Sequence, residues 1–254
     1  FTFEEKGETM TADGEVVMKK MVNALAQQSA QQLKQDQHVE NFKRIVPSLI
    51  DKGLDNINLN MFSEDMRLGL LNAMGDEYAR KGKLPEAIKA FILAGNKAKL
   101  VDIGADYERV GLFSNAIDAY RLADSTDKLL KIGNKCLDDG RTADAIKAYR
   151  LIGNVDKLVK VGEDCLAKGK WDYAIEVFSA IGNKVKLAQV GDKCLQENQI
   201  GYAAKAYEMS GDADKLNVLG DTCLRQGLLS TALQSYTQSG NTVMIQFIKE
   251  NFRQ

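Results

Sequence analysis

The sequence predicts an all-α fold, a right-handed α-solenoid of short antiparallel helix-turn-helix repeats. Three observations predict it. Glycine recurs every 29 residues, at Gly75, Gly104, Gly133, Gly162, Gly191 and Gly220, with no gap needed. An alanine and an aromatic follow each glycine at fixed distances: Ala87 and Phe91, Ala116 and Tyr120, Ala145 and Tyr149, Ala174 and Phe178, Ala203 and Tyr207, Ala232 and Tyr236. Apolar residues between these marks fall at helical spacing, as Leu158, Val161 and Cys165 do. Self-similarity at a constant period of this size is the signature of stacked supersecondary units.

Each repeat divides into two predicted helices. The first runs through segments such as 155–166. It opens on a residue able to accept hydrogen bonds from the free N–H groups of the first turn: Asn96, Ser125, Asn154, Asn183, Asp212 or Asn241. It closes on Gly82, Gly111, Gly140, Gly169, Asn198 or Gly227, residue types that tolerate the left-handed conformation. The second helix covers segments such as 173–181, with Ala174, Ile175 and Phe178 inward. It stops at a further glycine in five repeats: Gly95, Gly153, Gly182, Gly211 and Gly240. Pro85 falls in the first turn of a second helix, where proline is tolerated. The glycine inside each first helix costs about 1 kcal/mol relative to alanine. Its sixfold recurrence therefore implies a packing gain, the close approach of a neighbouring helix, with the aromatic filling the space between one repeat and the next.

Four segments are expected along the chain. Residues 1–14 read as disordered or loosely packed. Residues 15–69 hold a capping helix over 15–36 and a degenerate repeat over 40–69, in which Gly53 and Phe62 keep the register. Residues 70–246 carry the six repeats. A last capping helix over 243–252, ending in the segment 247–254, directs Ile245, Ile248 and Phe252 inward.

Composition excludes several functions. The 34 basic and 35 acidic residues balance, which leaves no general field for nucleic acid or an anionic membrane. No apolar run reaches the roughly 20 residues needed to span a bilayer. Cys136, Cys165, Cys194 and Cys223 stand one per repeat. Adjacent helices in a stack lie about 8–10 Å apart, too far for disulfide geometry. They read as buried structural thiols, which favours a reducing, cytoplasmic setting. The single histidine, His38, lies in a glutamine-rich stretch without a nucleophile or orienting partner. Gly82-Lys83 is no phosphate loop, because Leu84 stands where serine or threonine is required. Asp212 and Asp214 begin no calcium loop, because Leu216 occupies the third ligand position. No catalytic residue, cofactor or metal is expected.

Gly75, Tyr78, Gly82, Ala87, Phe91 and Ala94 reproduce in full a pattern of small and aromatic residues that resembles the tetratricopeptide repeat. The match spans about residues 70–246. The 29-residue period is shorter than that family's 34, and the proline that usually follows the second helix is absent. The glycine–asparagine turns followed by Lys-Leu, as in Gly182, Asn183, Lys186 and Leu187, are also similar to solenoids of vesicle coats and intraflagellar transport.

The resemblance implies a concave groove along the first helices. The residue after each first glycine would line it: Asp76, Ala105, Asn134, Glu163, Asp192 and Asp221. Three residues on come Ala79, Glu108, Leu137, Leu166, Leu195 and Leu224. Such a groove, acidic with leucine beside it, suits a protein or peptide segment carrying basic and apolar residues. A regular row of lysines, Lys99, Lys128, Lys157, Lys186 and Lys215, falls in the first turns of the first helices. Its heads either stay in water over packed stems or meet an acidic partner. The expected function is a non-catalytic protein–protein interaction scaffold or adaptor, within a larger complex or longer chain. The alternative is a regulatory or substrate-recruiting module of an enzyme whose catalytic part lies elsewhere. The C-terminal helix can join two copies. No nucleic acid and no membrane insertion are expected.

Overall fold

The structure, a computed structural model, describes residues 45–252. The segment 1–14, expected to be disordered or loosely packed, the expected capping helix over 15–36 and His38 lie outside the described residues. Every described helix is α or short 3-10, and there is no strand among the described residues. No described helix is long and apolar enough to cross a membrane. The described residues divide into two compact units, 45–103 and 104–252.

The first unit opens on α1, residues 45–52, which buries Val46 and Ile50. Gly53 then turns the chain at φ 80°. Where the degenerate repeat would place its second helix, two 3-10 turns follow instead, Leu54–Asn56 and Leu59–Met61. The reason is local. Asn58 occupies the place of the packing alanine, and its side chain accepts from the Asn60 N–H, a turn bond that competes with helix. Next come α2, Glu64–Arg80, and α3, Leu84–Leu93, packed as a hairpin. Pro85 sits in the first turn of α3, as expected. Helix α4, Lys97–Arg109, contains the division between the units.

The second unit continues with α5 (Phe113–Leu122), α6 (Thr126–Asp138), α7 (Thr142–Leu151), α8 (Val155–Ala167) and α9 (Trp171–Ala180). It ends with α10 (Lys184–Gln196), α11 (Ile200–Ser210), α12 (Ala213–Arg225), α13 (Leu229–Ser239) and α14 (Thr242–Asn251). Even-numbered helices are the first helices of successive repeats. Helices α6, α8, α10 and α12 each pack on the second helix of their own hairpin and on that of the hairpin before, and α5, α7, α9 and α11 pack in series. This neighbour-to-neighbour packing is that of an all-α helical solenoid.

The repeated residues build its core. Ala116, Ala145, Ala174, Ala203 and Ala232 are fully buried, as are Tyr120, Tyr149, Phe178, Tyr207 and Tyr236 beside them. A Cβ added to Gly104, Gly133, Gly162, Gly191 or Gly220 would come within 3.0 Å of the ring sixteen residues later. Gly75 meets Phe91 in the same way in the first unit. Each ring is thus seated on the glycine of its own hairpin, rather than lying only between repeats. This contact is the packing gain that offsets the helical cost of glycine.

The turns follow the expected chemistry with two differences. Asn96, Asn154, Asn183, Asp212 and Asn241 accept a hydrogen bond from the N–H three residues on, whereas Ser125 makes no such cap. In the hairpin that lacks a second glycine, Asp124 adopts the left-handed turn at φ 59°. At the C-terminal end Ile248 is buried and Ile245 partly so. Phe252 does not pack inward. It lies beyond the end of α14, 44% exposed, edge-on to Phe247 with centroids 6.1 Å apart.

Candidate interaction face

The side chains that point away from the core on the first helices form the candidate face. Along α6, Lys128, Lys131, Asn134 and Leu137 follow one another at three-residue steps. Along α8 the same positions hold Lys157, Lys160, Glu163 and Leu166. On α10 and α12 they hold Lys186, Gln189, Asp192 and Leu195, then Lys215, Val218, Asp221 and Leu224. Neighbours in such a series lie side by side on the helix surface, and the series winds about half a turn round the helix from its first residue to its last. Leu137, Leu166, Leu195 and Leu224 are half-buried, and Glu163 and Asp221 are exposed.

The predicted acidic row and the predicted lysine row meet. Glu163 pairs with Lys186 at 2.8 Å and Asp192 with Lys215 at 2.7 Å. In the first unit Asp76 pairs with Lys99 at 2.8 Å. Each rung therefore joins the residue after a glycine to the lysine of the next first helix. These groups are substantially exposed, so each pair stabilises by about 0–1 kcal/mol. Their chief effect is on the surface, where paired charges present little net field.

The same row also receives the tyrosine hydroxyls. Tyr149 donates to Asn134 at 2.9 Å, Tyr207 to Asp192 at 2.8 Å and Tyr236 to Asp221 at 2.6 Å. Where the row holds Ala105, Tyr120 donates instead to Glu108, which also takes Lys135 at 2.9 Å. Burial pushes the Glu108 carboxyl up, but the bonds from Lys135 and Tyr120 outweigh it and hold the group below its usual range. Burial, and then these carboxylates, raise the Tyr120, Tyr207 and Tyr236 hydroxyls well above the ordinary phenol. Asp192 is accordingly a structural acceptor as well as a surface charge.

The sequence holds both rows but not their contact, which depends on how one hairpin is offset from the next. Acid and lysine rows run at a constant offset of 23 residues, as 163 to 186 and 192 to 215 show. The tyrosine bonds left a fainter signal, since Phe91 and Phe178 stand in the hairpins whose acids, Asp76 and Glu163, bind only lysine.

The four cysteines are buried and free. Burial pushes the Cys136 thiol up to about 11 and the Cys194 thiol up to about 12, and it raises Cys165 and Cys223 as well. Such thiols stay protonated and unreactive at neutral pH. Neither a protein-family model nor a curated protein matches the chain.

Proposed function

We propose that this chain is a non-catalytic interaction scaffold of shortened tetratricopeptide type, and that a protein segment lies along its first-helix face. One observation carries the reading. Positions that make the hairpins hardly change from repeat to repeat, while the exposed position two residues before each glycine does. It holds Lys131, Lys160, Gln189 and Val218 on α6 to α12, all exposed. On the same helices Leu137, Leu166, Leu195 and Leu224 recur half-buried, and aliphatic contacts beside side chains that differ from repeat to repeat suit a partner segment. The acidic residues are poor probes of the face, because Asp192 and Asp221 also hold tyrosine hydroxyls. Photo-crosslinkers at Gln189 and Val218, against controls at Lys205 and Gln234 on the second helices, test it directly. A partner should be captured from the first-helix pair alone. Capture that survives Gln189→Arg with Val218→Arg unchanged rules out this face.

A further inference from the structure

We infer that the junction of α6 with α8 is a docking point for a carboxylate-bearing segment of a partner protein, which supplies a missing rung of the inter-repeat ion-pair ladder. The inference deepens the scaffold reading and rests on it. In three rungs the lysine head meets a carboxylate of the preceding first helix: Lys99 meets Asp76, Lys186 meets Glu163 and Lys215 meets Asp192. Lys128 has no acid opposite, since that position is Ala105, but it acts on the Glu108 carboxylate. Lys157 has neither. Asn134 stands where its acid would be, and no described carboxylate pairs with the Lys157 ammonium.

The surroundings of the gap favour an anion. Lys131 lies one turn before Asn134, and Lys160 one turn after Lys157. Both are exposed and neither forms an ion pair among the described residues. Asp127 and Asp156, each four residues before one of these lysines, make no ion pair with them. The Asn134 Oδ1 already accepts from Tyr149, so its amide nitrogen is the free donor and has no acceptor among the described residues. Lys157 and the Asn134 amide N–H thus flank a position that holds a carboxylate in the α8–α10 and α10–α12 rungs, with Lys131 and Lys160 each one turn away along their helices, while Asp138, one turn beyond Asn134, acts on the Tyr149 hydroxyl. Lysine supplies point charges and asparagine a directed donor, a set suited to a carboxylate side chain.

A protein segment fits better than nucleic acid. The flanking side chains, Leu130, Leu137, Val159 and Leu166, are half-buried aliphatics. Single-stranded nucleic acid calls for exposed rings on which bases stack. Aliphatic contacts beside a cationic notch suit a segment that alternates acidic and apolar residues.

The test uses the full chain and a labelled, soluble peptide of glutamate, leucine and serine, followed by fluorescence anisotropy. A peptide with glutamine in place of glutamate and an oligothymidylate are the comparisons. The acidic peptide should bind, more weakly as salt rises. Lys157→Glu should weaken it at least about ten-fold, the effect of one interfacial charge contact. Asn134→Asp, which completes the rung within the chain, should weaken it likewise while leaving the thermal midpoint unchanged or higher. That variant separates a lost site from a lost fold. Equal binding of the glutamine peptide overturns the inference, as does indifference to both substitutions. Tighter binding of the oligothymidylate overturns the choice of partner. Crosslinking at Gln189 and Val218 without acidic-peptide binding overturns this docking point and leaves the scaffold reading standing.

Discussion

Gly191 and Gly201 are both helical, and alanine substitution acts on them in opposite directions. At Gly201 a methyl would meet nothing within 4 Å, so Gly201→Ala removes only the backbone freedom of glycine. It should stabilise by about 0.5 kcal/mol. At Gly191 the methyl would overlap the edge of the Tyr207 ring, which is fully buried. Overpacking of this kind costs about 1–3 kcal/mol, which exceeds the helical gain. Gly191→Ala should lower the urea midpoint, and Tyr207→Leu should make the added methyl less damaging. A double-mutant cycle measured by denaturant unfolding checks both. Equal effects of alanine at the two glycines would remove the glycine–ring contact as the basis of the repeat.

Helix ends in this chain differ in what holds them, and the caps give a direct comparison. The Asn183 Oδ1 accepts from the Lys186 N–H at 3.0 Å, whereas the equivalent Ser125 makes no cap bond. Asn183→Ala should cost about 1 kcal/mol and Ser125→Ala close to nothing, as read by thermal or urea unfolding. A comparable loss from both would mean that the residue type, rather than the bond, sets the end of the helix. The contrast also shows what was legible. Hairpins, caps and left-handed glycines depend on neighbours in the chain, so the sequence pattern carried them. Asp124 escaped because aspartate marks a left-handed turn only faintly. The 3-10 turns after Gly53 escaped because Phe62 kept its register while Asn58 broke the helix beneath it. The rungs of the interaction face depend on how one hairpin is offset from the next. Composition and helical period carry no direct record of that offset, so the acidic row read as free charge until Lys186 and Lys215 were seen against it.

At the scale of the whole molecule, burial of so many weak acids sets the pH range of stability. The thiols of Cys136 and Cys194 ionise near 9 when unfolded and near 11 and 12 when folded. Tyr78, Tyr149 and Tyr207 are also raised, with burial as the leading cause. A raised folded value means that the native state holds its proton more tightly than the unfolded chain. The resulting stability is complete below about pH 9 and is lost as pH rises through the folded values. Each group that is ionised only when unfolded removes up to about 1.4 kcal/mol per pH unit in that window. Glu108 acts in the opposite sense, since its lowered folded value contributes stability above its ordinary range and loses it as pH falls. Its one carboxylate, held by Lys135 and Tyr120, is small beside the several buried thiols and phenols. Thermal unfolding should therefore show a broad plateau near neutrality and a steep fall above pH 9. Replacing Cys136 and Cys194 by alanine should make that fall shallower, even as it lowers the plateau by emptying core volume. A midpoint that stays flat to pH 11, or an unchanged slope in the alanine variant, would mean that these thiols open to solvent in the native chain.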